Sequence, residues 1–127
     1  MSGRRRSTPG FTLIELLVVL AVIALLLSMA APRYFQHVER SREAVLLENL
    51  ATMRDAIDQY HADTGQWPAS LGSLVEKHYM RALPKDPITN SAETWLAIPP
   101  SDGGEGVQDV HSGAEGQGTD GRAYGEW

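Results

Sequence analysis

Residues 11–31 read FTLIELLVVLAVIALLLSMAA, 21 residues in which Glu15 is the only charge and Thr12 and Ser28 are the only other polar side chains. As a helix at about 1.5 Å per residue the stretch reaches roughly 31 Å, matching a hydrocarbon core of ~30 Å. Thirteen of these residues are Phe, Leu, Ile or Val. Each contributes roughly −0.3 to −0.6 kcal/mol on insertion, against about +3 kcal/mol for a carboxylate at mid-depth and less near an end. The apolar sum wins, and a membrane-spanning helix is expected. Arg4, Arg5 and Arg6 stand just before it. Basic flanks stay on the cytoplasmic side, so the rest of the chain is expected across the membrane.

A cleavable secretory signal is the competing reading, because Ser28-Met29-Ala30 is a small-x-small pattern after a basic and then apolar segment. The apolar run is long for such a signal, and Glu15 falls where its core is normally uncharged. An ionisable residue at membrane depth calls for a partner, which makes Glu15 a candidate functional group.

Pro9-Gly10-Phe11-Thr12-Leu13-Ile14-Glu15 resembles the processing site of type IV pilins and type II secretion pseudopilins: glycine before the cut, phenylalanine after it, glutamate fifth in the mature chain. The resemblance implies that prepilin peptidase removes residues 1–10 and that the new N-terminus at Phe11 is methylated. A carboxylate buried among apolar helices is costly unless paired. The α-amino group of an adjacent subunit would supply the opposite charge, making Glu15 an assembly device.

After Pro32 the pattern turns amphipathic. Leu46, Leu50, Met53, Ile57 and Tyr60 recur at helical spacing, so residues 32–62 are expected to continue the same helix, with Asp63-Thr64-Gly65 as the stop. Pro32 removes a backbone donor and is expected to kink it. A helix over 11–62 would be about 78 Å long. The apolar stripe is expected to face a C-terminal domain. Glu39, Arg40, Arg42, Glu43, Glu48, Arg54, Asp55 and Asp58 are expected on a solvated face.

Residues 63–127 read as a small globular domain: a short helix near Ser70 to His78, a rigid segment Leu83-Pro84-Lys85-Asp86-Pro87, a strand Trp95 to Ile98 and a second strand Gly106 to Val110. Eight of the 12 glycines follow Pro100, so a glycine-rich loop closes the chain. The fold class is α+β: one long N-terminal helix covered in its second half by a small antiparallel sheet.

The run from Tyr60 to Gly65, Trp67-Pro68, Tyr79 through Pro87, the Trp95 strand and the glycine-rich loop ending on Trp127 narrows the resemblance to the major pseudopilins of type II secretion, members of the type IV pilin-like superfamily. That family implies a structural subunit of the bacterial inner membrane with its C-terminal domain in the periplasm. It polymerises with itself and with minor pseudopilins, and depends on prepilin peptidase and an inner-membrane assembly platform. It also implies a calcium ion in the loop before the last tryptophan. Ser112, Glu115 and Asp120 would supply side-chain oxygens, and Val110 or His111 a carbonyl. The loop departs from the family pattern, which has an aspartate near Glu115 and two adjacent acids near Asp120. Calcium normally takes six to eight oxygens.

Other chemistry finds little support. The formal charge is −5, and loss of the leader with its three arginines would take it to −8. That balance repels nucleic acid. There is no cysteine, hence no disulfide and no thiolate nucleophile. Gly116-Gln117-Gly118-Thr119-Asp120-Gly121 satisfies G-x-G-x-x-G but lies in a loop with no helical pattern after it. His37, His61, His78 and His111 are scattered, and no catalytic constellation is found. Two alternatives stay open: a type IV pilus pilin or minor pilin, and, from another class, a membrane-anchored or exported periplasmic binding domain, uncut or cut after Ala30.

Overall fold

The computed structural model describes Gly3 and residues 10–127. Arg4, Arg5, Arg6 and Pro9, on which the orientation and part of the processing motif were read, lie outside the described residues. The chain divides into two compact units, Met1–His37 and Val38–Trp127.

Helix α1 spans Leu13–Thr64, 52 residues. Its start is set by Thr12, whose Oγ1 accepts the Glu15 N–H at 3.1 Å and whose carbonyl accepts the Leu16 N–H at 3.0 Å. Thr12-Leu13-Ile14-Glu15 thus has the spacing of a capping box, which places the first residue two positions later than hydropathy alone suggests. Pro32 lies inside α1 with helix assigned on both sides. At the other end Gly65 adopts a left-handed φ of 73° and donates to the His61 carbonyl at 2.8 Å, the usual glycine stop.

In the first unit the apolar run is uncovered. Its large side chains are exposed from 44% at Val19 to 83% at Phe11, and no part of the most apolar 18-residue stretch is buried within the chain. A helix of this length and composition anchors the chain in a membrane.

In the second unit the stripe is core. Leu46, Leu50, Met53 and Ile57 are fully buried, with Leu74, Trp95, Val107, Val110, Tyr124 and Trp127 packed into the same cluster. Helix α2, Leu71–Glu76, is shorter than expected: Ser70 caps it by accepting the Ser73 N–H, and His78 turns left-handed at φ 64° two residues past its end. Strands β1, Leu96–Ile98, and β2, Asp109–His111, form a two-stranded antiparallel sheet in the register Leu96↔His111, Ala97↔Val110, Ile98↔Asp109. The second strand begins three residues later than Gly106: Val107 donates off the sheet to the Pro68 carbonyl, and the Gln108 N–H on the Ile98 carbonyl is the bond at the end of β1 from which the ladder starts. The glycine-rich tail is not all loop: Tyr124–Glu126 form a 3₁₀ turn.

Candidate functional site

Two places bear on function: the start of α1 and the fastening of the C-terminal tail onto it.

At the start, Gly10 and Phe11 lie outside α1 and are exposed, and the space beside the Gly10 Cα is empty. A peptidase must bind its substrate extended, so a bond just ahead of the helix is accessible. The competing Ser28-Met29-Ala30 bond lies within α1, where the Ser28 hydroxyl is donated to the Leu25 carbonyl at 2.6 Å. Glu15 sits exposed in the first turn, where a negative charge complements the helix dipole.

The tail is held by two charged side chains from α1 that periodicity assigns to a solvated face. Glu43 is instead 5% exposed. Its carboxylate accepts the Thr119 N–H and the Thr119 hydroxyl, each at 2.6 Å, and the Tyr124 hydroxyl at 3.3 Å. Burial, and then the negative charge of Glu43, raise the Tyr124 phenol above its ordinary value and keep it a donor. Arg54 donates Nε to Asp109 Oδ1 at 2.8 Å, and Nη2 to the main-chain oxygens of Val110 at 2.9 Å and Trp127 at 2.8 Å. His111 Nδ1 meets the same Trp127 oxygen at 2.6 Å. One guanidinium therefore joins β2 and the final residue to the helix. A spacing signal for Glu43 exists, since it stands three residues before Leu46 and extends the buried stripe backward; Arg54 flanks it, four after Leu50.

Arg54→Ala should cost about 1–3 kcal/mol, chiefly because it takes a donor from the carbonyl of the buried Val110; the half-exposed Asp109 carboxylate keeps water and the Trp127 oxygen keeps His111. Arg54→Lys should recover less than half, since an ammonium lacks the planar fork. Thermal melting of both variants checks this, and equal stability of Lys and Arg would defeat it.

The segment Leu83 to Pro87 is wired by its own backbone. The Pro84 carbonyl accepts Trp95 Nε1 at 2.8 Å and the Lys85 carbonyl accepts Asn49 Nδ2 at 3.0 Å. Asp86 is fully buried. One oxygen accepts the Ile88 N–H at 2.8 Å, an Asx turn, and the other the Ser112 hydroxyl at 2.5 Å. Sequence reasoning passed over Asp86; its signal was an aspartate beginning an Asp-Pro turn.

Two of the three side chains expected to hold calcium are otherwise engaged. Ser112 is buried and its oxygen serves Asp86 and the Ala114 N–H. Asp120 is closed by Arg122, whose backbone N–H reaches Oδ1 at 3.0 Å and whose Nε reaches Oδ2 at 2.8 Å. These contacts with Arg122 hold the Asp120 carboxyl below its ordinary value. Glu115 is exposed. Among the described residues no three of His, Cys, Asp or Glu stand close enough to hold a metal ion. The buried polar atom without a partner in this region is the Trp127 indole N–H, a donor and so unable to ligate a cation. This donor set does not fit calcium.

A family model described as the prokaryotic N-terminal methylation motif matches residues 5–31. The chain is similar to the type II secretion system core protein G of Dickeya chrysanthemi, 30% identical over 128 residues covering 88% of this chain and 78% of that one. The protein of the same description from Pseudomonas aeruginosa is 29% identical over 144 residues covering 98% of each. Fimbrial protein EcpC of Eikenella corrodens is 40% identical over 60 residues, 47% of this chain and 39% of its own length. No solved structure matches.

Proposed function

The chain belongs to the type II secretion system core protein G family, and on that premise we propose that it is a structural pseudopilin subunit that polymerises into a periplasmic filament of a protein secretion machine. The observation that carries the reading is the uncovered apolar half of α1, exposed by 44% or more at every large side chain from Phe11 to Met29. Surface of that kind must be covered by lipid before assembly and by neighbouring copies after it. The role is structural rather than catalytic.

In this reading the chain inserts in the inner membrane and prepilin peptidase cuts between Gly10 and Phe11. An inner-membrane platform then draws subunits into a bundle capped by minor pseudopilins. The exposed Gly10–Phe11 bond ahead of a capped helix supports the cut. The pilus pilin reading draws on the fimbrial similarity, but that covers less than half of the chain, whereas similarity to secretion core proteins extends over nearly all of it.

Intact-mass and N-terminal analysis of the chain from membranes of a bacterium carrying this secretion system should find a mature species beginning at N-methylated Phe11. A species beginning at Met1 or Ala31 would overturn the proposal.

A further inference from the structure

The loop that closes the domain is fastened by groups of this chain at the place where the family resemblance implies a calcium ion. We propose that residues 112–127 are locked by Glu43 and by the Asp120–Arg122 pair in place of a divalent cation, so that this subunit folds independently of calcium.

Three observations converge on this. The loop is already a closed hairpin: Gln117 and Ala123 form an antiparallel bridge, Gly118 donates to the Arg122 carbonyl at 2.8 Å and Gly121 to the Gly118 carbonyl at 3.0 Å. A positive charge is built into it, since the Arg122 guanidinium bonds Asp120 and lies 5.4 Å from the centre of the Trp127 ring. That position suits a cation–π contact and opposes entry of a second cation beside Asp120.

The buried anions at the loop also lie outside it. A metal-bound loop directs carboxylates and carbonyls inward at the ion. Here two buried carboxylates reach the loop from outside it, and the loop presents donors to both: the Ser112 hydroxyl to Asp86, and one N–H and two hydroxyls to Glu43 of α1. The polarity is inverted, with an anion at the centre of converging donors. Gly118 also packs so closely on the Trp127 indole that a Cβ would lie 2.3 Å from its ring, which leaves no space there for an ion and its ligands.

The test is thermal melting of the full-length chain in detergent micelles, in millimolar EGTA and in millimolar calcium chloride. The two melting temperatures should agree within about 2 °C, whereas a site filled a hundredfold above its dissociation constant would raise melting by roughly 10 °C or more. A calcium-dependent rise of that size overturns the proposal. Glu43→Gln places an amide donor against the loop's donors and should lower melting equally in EGTA and in calcium. Thr119→Val, a milder change, should lower it less, again equally. A Glu43→Gln chain that melts like the parent, or one restored by calcium, also overturns it.

Discussion

Gly113→Ala should destabilise the C-terminal domain by roughly 3–5 kcal/mol, a large part of the stability a small domain possesses. A Cβ at position 113 would lie 1.9 Å from the Thr94 carbonyl oxygen and 3.0 Å from its carbon. The register of β1 and β2, Leu96 against His111, places Gly113 opposite Thr94 when extended by two residues. Neither strand can retreat. Trp95, next to Thr94, is buried with its indole N–H on the Pro84 carbonyl, and Ser112, next to Gly113, is fully buried on Asp86. Relief therefore requires breaking a buried hydrogen bond or parting the strands, which also unseats the Asp86 turn. At about 4–8 °C per kcal/mol, melting should fall by roughly 15 °C or more. Gly121→Ala is the comparison: its φ of 83° is strained for alanine but nothing lies within 4 Å, so the loss should be about 1 kcal/mol. Equal losses for the two variants would show that close approach at Gly113 is not what limits the fold.

Glu15→Ala should leave cleavage and the folded domain intact and abolish filament assembly. In the single chain Glu15 contributes little: its exposed carboxylate in the first turn of α1 is worth about 0.3–1 kcal/mol. The Thr12 cap uses the Glu15 backbone N–H, which alanine retains. Within a bundle of apolar helices the balance differs. In the filament proposed above the carboxylate would face the α-amino group that cleavage creates at Phe11 of a neighbour, and removing one partner of such a buried pair costs about 3–5 kcal/mol. Filament yield should therefore drop by more than about a hundredfold. Glu15→Gln separates the two roles, since it keeps shape and hydrogen bonding and loses only the charge. It should fail to assemble as completely as alanine. Sheared filaments quantified against processed subunit in the membrane give the measurement, and normal yield from the glutamine variant would refute pairing.

The residues that escaped sequence reading share one property. Glu43, Arg54 and Asp86 are charged, and periodicity or local composition places such side chains in water. In the folded chain Glu43 meets a loop 76 residues away, Arg54 meets partners 55, 56 and 73 residues away, and Asp86 meets Ser112 26 residues away. Nothing local encodes these encounters. Each becomes favourable only because the apolar stripe from Leu46 to Ile57 draws the tail onto the helix, after which an unpaired polar group would be left dry.

What the sequence by itself determined is whatever depends on neighbours in the chain. The apolar run 11–31, the Gly10–Phe11 junction with Glu15, the buried stripe and the glycine stop at Gly65 are all of this kind, because hydropathy, helical period and backbone freedom act over a few residues. Only the tertiary structure decided how the tail closes: a carboxylate ringed by donors at Glu43, a guanidinium fork at Arg54 and an internal cation at Arg122 in a loop where the family resemblance implies a metal. The oxygen-bearing residues expected for calcium are present, but whether oxygens face an ion or one another is set by long-range packing, which composition does not carry.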